Sequence, residues 1–316
     1  MPVGTCHHTA IIAWSKPLLF TLIKSAESKM KTTDTHDGFW TNIVENGLNA
    51  RTVPLGPNCA LSLFKWGPVV AAYPNFPFGL RSREEFIQLM CTETLGTLKG
   101  KGVDLLRLGM PASVLAASER PPLVKSVPET VVNELESWSL DALSSIGLYK
   151  VRRAVRDGIR IRNATAADCE KIFNLYRHTI KKHNGRLRYT HQYFQILLTA
   201  SSSGGPLRIS VADTPEASCV GFIATLRRGA TTFYLHGGFD RDHARMRPGF
   251  ALMSHLLGLA SKDGCARFNM MASPTDQPEL IRYKERWGGD TSPIYHWDIA
   301  VSAIGKIARL LLTLRR

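Results

Sequence analysis

The chain is short of acid. Its 316 residues carry 26 Asp and Glu against 40 Lys and Arg, a formal net charge of +14. That imbalance argues against polycationic partners and favours phosphate-bearing ones: nucleic acid, an anionic membrane face or a phosphorylated substrate. Charge alone does not choose among them, and a merely solubilising excess reads the same way. Cysteine is sparse and scattered, at positions 6, 59, 91, 169, 219 and 265, with no CxxC pair. This spacing argues against zinc and against a disulfide framework, and fits reduced thiols in the cytoplasm. Cys6-His7-His8 is a lone cluster of metal-ligating types, and no metal is expected. Long apolar runs are missing too. None reaches the roughly 18 to 20 residues that a spanning helix needs. The early apolar stretch 10–23 is broken by Ser15, Lys16 and Pro17, and no small-residue cleavage site follows it. Low-complexity tracts and short repeats are absent as well. The expected location is cytoplasmic, with contact at the inner face of a membrane left open.

What is present is core. Hydrophobic residues make up 44% of the chain, enough for one large or two medium domains. Patterning predicts a helix over 38–47, strands over 59–64 and 69–73 around the Gly67-Pro68 turn, and a helix opened by Ser82-Arg83-Glu84-Glu85. A strand follows over 105–108. Residues 111–128 read as a loop or lid and 129–143 as a helix. The second half is sharper: helices after Thr165-Ala166-Ala167-Asp168 and over 189–198, then strands over 207–211, 219–226 and 230–235. A helix over 248–260, a strand over 266–271, a helix over 278–287 and a strand over 294–299 complete it. The first half repeats a fainter version of this order. The fold class is therefore α/β, with two tandem units of mixed sheet flanked by helices. One covers 1–146, joined by the tail 303–316; the other covers 147–302.

One stretch stands out chemically. Arg282-Tyr283-Lys284-Glu285-Arg286-Trp287-Gly288-Gly289 packs three cations, two aromatics and two glycines into a helix end. Lys284 is either a point charge aimed at a reacting oxygen or an ordinary surface lysine. Tyr283 and Trp287, four apart, share a helix face and either stack on a base or sugar or fill the core. Arg282 is a further candidate for substrate. His236, between a strand and Gly237-Gly238, is a candidate proton acceptor or a structural histidine; Asp276 and Glu279 lie upstream of the lysine. Lys150, Arg152, Arg153, Arg156, Arg160 and Arg162 fall close together with Asp157 as the sole acid, so Arg152, Arg153 and Arg156 are candidate anion binders or a solvated face. The tail 304–316 carries an apolar stripe with cations elsewhere. It either rests on anionic lipid or packs back on the first unit.

These residues carry a resemblance. Phe233-Tyr234-Leu235-His236-Gly237-Gly238, followed by 282–289, together with the basic segment 149–158 leading into Ile159-Arg160-Ile161-Arg162, resembles the Fem-type aminoacyltransferases and their acetyltransferase relatives in the GNAT superfamily. The resemblance covers about 147–299 well and the first half only in layout. It implies two GNAT-like units with a cleft near their junction. It also implies N-acyl transfer to an amine of a cell-envelope precursor, in peptidoglycan or polysaccharide synthesis. No cofactor is bound; the donor is either aminoacyl-tRNA or acyl-CoA, and the acceptor is a phosphate-bearing small molecule or lipid-linked precursor. Lys284 matches the family's lysine in this motif and would stabilise the oxyanion. A GNAT phosphate arm reads Arg/Gln-x-x-Gly-x-Gly/Ala; here Met246-Arg247-Pro248-Gly249-Phe250-Ala251 keeps Gly249 and Ala251 but lacks the first residue, and Pro248 removes an N–H. Arg245, Arg247 and Gly249 are the residues left to meet a donor phosphate. That departure tilts the expectation toward a tRNA-borne or lipid-phosphate substrate.

Overall fold

The computed structural model of the protein describes residues 36–56, 59–114, 125–182 and 185–314. The Cys6-His7-His8 cluster, the apolar stretch 10–23 and the middle of the 111–128 loop lie outside the described residues. The first half runs through helix α1 (His36–Leu48) and strands β1 (Arg51–Gly56), β2 (Cys59–Trp66) and β3 (Val69–Pro74). It continues with α2 (Arg83–Met90), α3 (Thr92–Gly100), β4 (Leu105–Pro111) and β5 (Lys125–Val132). The second half begins with α4 (Ser145–Arg156), β6 (Arg160–Asn163), α5 (Cys169–Lys182) and α6 (His191–Ser201). Then come β7 (Leu207–Asp213), β8 (Gly221–Arg228), β9 (Thr231–Phe239) and α7 (Pro248–Lys262). The chain closes with β10 (Arg267–Ala272), α8 (Pro278–Glu285), β11 (Gly289–Ala300) and α9 (Ala303–Leu314).

The strands form an 11-stranded sheet in the order β1-β2-β3-β4-β11-β5-β10-β9-β8-β7-β6. Each half repeats one plan. An antiparallel meander (β1-β2-β3 or β7-β8-β9) leads through helix into a strand parallel to the meander's last, β4 on β3 and β10 on β9. The next strand of each half then crosses into the other. β5 lies antiparallel to β10, while β11 lies antiparallel to β4 and to β5. The two α/β units therefore share one mixed sheet, interlocked by an exchange of strands.

The helix expected over 129–143 is a correction: 125–132 is strand, followed by short 3-10 turns. Thr130, Val131 and Val132 are β-branched, stiff at χ1 and suited to the middle of a sheet. Strands β1 and β6 were not expected. Both are sheet edges, β1 carrying Pro54 and β6 two arginines, which is how edges resist further pairing and also why they lack a strand's apolar signature.

Helices α2 and α3 bury Phe86, Leu89 and Leu98 against Leu61, Leu63, Ala72, Leu106 and Leu108 on one face of the first half. In the second half, Tyr193, Phe194 and Leu197 of α6 pack with Leu175 of α5, Phe222 and Trp40 of α1. Across the sheet, Leu252, Leu256 and Leu257 of α7 pack with Val151 of α4, Phe268 and Trp287. Among the described residues no helix is long and apolar enough to cross a membrane.

Candidate active site

The parallel strands β9 and β10 pair only as far as Phe233 and Asn269. Both run further, to Phe239 and Ala272, so they part at their C-terminal ends, where open α/β sheets take ligands. The first half parts similarly after Ala72 and Leu106, but its own loop enters. Leu80 N–H donates to Gly109 O at 2.8 Å, and a Cβ on Gly79 would stand 2.2 Å from the same oxygen. Only glycine permits that approach.

Lys284 reaches the C-terminal end of β10, beyond the last pairing of that strand with β9. Its Nζ donates to Met271 O at 2.7 Å and to Ala272 O at 3.4 Å. Those carbonyls are turned toward it by an irregularity in β10: the register against β5 shifts between Asn269 and Ala272, and Met271 takes a left-handed φ of 61°. Asn269 Oδ1 holds the distortion by accepting the Met271 N–H at 2.7 Å. Bulges of this kind re-aim groups beside active sites. Lys284 is 7% exposed. Burial pulls its ammonium down to about 8, and the Glu129 carboxylate opposes the shift.

Glu129, on β5, accepts two bonds from Arg81, at 2.7 and 3.1 Å. The Arg81 guanidinium lies 5.6 Å from the centre of the Phe233 ring. Neither residue was foreseen from sequence. Both come from the first half, and only the insertion of β5 beside β10 brings them to the lysine. Arg81 Nε and Ser273 Oγ are buried with no hydrogen-bond partner among the described residues. Unpaired buried groups cost about 1–3 kcal/mol each, and their gathering around a buried cation marks a place for a polar ligand.

A polar lane leads along the sheet toward this point. Direct pairing puts Arg107 opposite Asp298, Gly109 opposite His296 and Glu129 opposite Ser292, so these side chains share one face. It is the face away from α2 and α3. Arg107 bonds Asp298 at 2.6 and 3.2 Å and lies 5.2 Å from the Trp66 ring centre and 5.9 Å from that of Tyr73. His296 and Ser292 are exposed.

The other sequence candidates are distributed around this centre. His236 is buried in an aromatic box, its Nε2 2.8 Å from Tyr193 Oη and its ring 4.5 Å from that of Tyr189. Desolvation holds its pKa at about 3, a poor setting for a group asked to take a proton. Trp287, 1% exposed, packs against Phe250 and offers a substrate no accessible face. Tyr283 is half-buried, stacked edge-on to Phe250, with its hydroxyl 3.4 Å from Gly249 O. Arg282 points to solvent and pairs with Glu279.

The basic helix and the start of α7 meet. Arg247 Nη1 lies 3.8 Å from Asp157 Oδ2, its guanidinium is 6.0 Å from the Tyr149 ring, and Lys150 Nζ is 5.0 Å from that of Phe250. Arg153 bonds Asp157 at 2.9 Å, whereas Arg152, Arg156 and Arg245 are exposed. Asp157 is not the only acid here, which corrects the sequence reading. Arg162 is gripped by Asp168 at 2.7 and 2.8 Å and by Asp213 at 2.7 Å. At the first turn of α7, Arg247 is left-handed, with φ 59°. Phe250 N–H already donates to Arg247 O at 3.0 Å, and the Phe239 ring crowds Gly249. No group of three or more His, Cys, Asp or Glu is placed to hold a metal among the described residues.

Residues 148–285 match the family described as acetyltransferase (GNAT) domain. The crystal structure of FemX superposes with a TM-score of 0.62 at 10% identity, over 88% of this chain and 96% of that one. The structure of L-PGS from Bacillus licheniformis gives 0.59 at 12% identity, over 92% and 95%. The C-terminal domain of a putative lysylphosphatidylglycerol synthetase from Agrobacterium fabrum gives 0.57 at 14% identity, over 92% and 96%. These likenesses establish a shared fold. No curated protein sequence matches.

Proposed function

We propose, from the premise that residues 148–285 are a GNAT acetyltransferase domain and the chain an acyltransferase, that this protein forms an amide bond on an amine of a cell-envelope precursor, with aminoacyl-tRNA as donor. The two units divide near 146/147, with β5 and β11 exchanged between them. The reaction runs in the cytoplasm, on an acceptor that carries phosphate, free or lipid-linked.

The observation that carries this reading is Lys284, a buried ammonium fixed by two carbonyls at the parting of β9 and β10. An ammonium has three N–H donors, and the one left over can meet an oxyanion. The acceptor amine attacks the ester carbonyl, a C–N bond forms, and the carbonyl oxygen takes the negative charge beside Lys284. The C–O bond to the ribose then breaks, and the departing oxygen accepts the amine's proton. Stabilising that oxyanion with a fixed cation shielded from bulk water is the main catalytic contribution. Arg81 and Glu129 keep the cation in place and supply the polar wall facing the substrate.

The start of α7 bears on the donor. Its Pro248, the internally bonded Phe250 N–H and the Phe239 ring against Gly249 weaken the grip a helix N-terminus offers a pyrophosphate. Exposed Arg152, Arg156 and Arg245 instead suit phosphates spread along a backbone. The second reading, an acyl-CoA-dependent N-acetyltransferase for an amino sugar or small metabolite, is favoured by the small residues Gly249 and Ala251, retained at the arm. A non-catalytic RNA- or envelope-binding module is the third. Thermal shift separates the donors: tRNA is expected to raise the unfolding temperature and acetyl-CoA to leave it unchanged. Stabilisation by CoA alone overturns the tRNA reading.

A further inference from the structure

Helix α9 is docked with half of its apolar surface facing out. Gly305 sits so close to β4's approach that a Cβ would stand 1.8 Å from Asp104 O. The same aspartate accepts Val301 N–H at 2.8 Å on its backbone oxygen and the Ser302 hydroxyl at 2.5 Å on Oδ1. Ser302 Oγ in turn accepts Gly305 N–H at 3.1 Å. These bonds fix the rotation of the helix. Gly305 is buried and Ala308 and Leu312 are half-buried, all on the docked side.

Ile304, Ile307, Leu310 and Leu311 are 47%, 62%, 60% and 55% exposed. At roughly 100° per residue, they form a stripe beside the docked arc; Lys306 borders it on the far side, and Arg309 lies beyond Lys306, next to the docked arc. Both cations are exposed, and 303–316 contains no acid. Four large aliphatic side chains on one short helix exceed what scattered surface apolars amount to.

We propose that this face of α9 docks on an anionic lipid surface, with the aliphatic stripe entering the headgroup boundary and Lys306, at its edge, meeting lipid phosphate. The charge decides the occupant. A second copy placed stripe to stripe would bring the Lys306 ammonium groups of both helices to one seam, with no acid in 303–316 to offset them, whereas an anionic bilayer neutralises them and receives the aliphatic side chains. This inference stands apart from the reaction, since none of these residues lies at Lys284.

The test is flotation of the full-length protein with phosphatidylglycerol-containing or pure phosphatidylcholine vesicles. Binding is expected only to the anionic ones, weakening as salt rises. Ile307→Asp with Leu311→Asp, and separately Lys306→Glu, are each expected to lower the bound fraction by about tenfold with an unchanged unfolding midpoint. These positions are solvent-exposed, so folding is not at stake. Unbound wild type with anionic vesicles, undiminished binding by both variants, or a dimer that the Asp substitutions dissociate would each overturn the proposal.

Discussion

At the scale of single residues, two buried bases have opposite meanings. Lys284 keeps its charge below about 8. As an oxyanion donor it must be charged, so turnover on an acceptor already unprotonated in that range is expected to fall as pH rises through about 8. A general base would show the reverse, with turnover climbing through the same region, and a pH–rate profile distinguishes them. His236 is a matter of stability. Its folded pKa, about 3, lies well below the ordinary value of 6.5. Between those values the unfolded chain binds the proton and the folded one does not, so stability present above pH 6.5 is lost as pH falls toward 3, by up to about 1.4 kcal/mol per pH unit. His236→Gln, which hydrogen-bonds without titrating, is expected to flatten that slope in urea unfolding; an unchanged slope would remove His236 as its source. Lys284 stood out as a candidate because a lysine among aromatics and glycines at a helix end is unusual. Arg81 and Glu129 were not, because nothing near them in the chain announces a partner more than a hundred residues away.

At the scale of elements, the legible parts were those whose burial is one-sided. Helices α5 and α7 and strands β7 to β9 carry their periodicity openly, and the cap residues Ser82 and Thr165 open α2 and the 3-10 turn leading into α5, as expected. β5 was misread because its burial follows no period of two: Lys125 and Ser126 are both exposed, and Glu129 and Thr130, on opposite faces, are both buried. His236-Gly237-Gly238 looked like a strand's end, yet β9 continues to Phe239. Gly237 is required there, as a Cβ would collide with the Tyr234 hydroxyl. The strand exchange has a mechanical consequence. Neither half completes its sheet alone, so a chain cut between residues 146 and 147 is expected to yield two fragments that are soluble and co-elute only when co-expressed. A 147–316 fragment folding alone, with native-like cooperative unfolding, would contradict the interlocked architecture.

At the scale of the whole molecule, one sheet carries two repeats with unequal fates. The first repeat's gap is occupied by its own loop at Gly79, and the second's is set with a buried cation and unpaired polar atoms. Between them runs the face lined by Arg107, Asp298 and His296, and around the start of α7 lies a basic surface. A long phosphate-bearing donor approaching that surface and an acceptor lying in the lane would meet at Lys284. That convergence, and not the fold by itself, is the basis for the amide formation proposed above, since one fold serves many chemistries. The most direct measurement is hydroxamate formation from aminoacyl-tRNA and from acetyl-CoA, with hydroxylamine as the acceptor, by wild-type protein and Lys284→Ala. Protein-dependent transfer from aminoacyl-tRNA, reduced about 100- to 1000-fold in the variant with its fold intact, is the predicted result; equal rates in the two proteins, or no transfer from either donor, would contradict it.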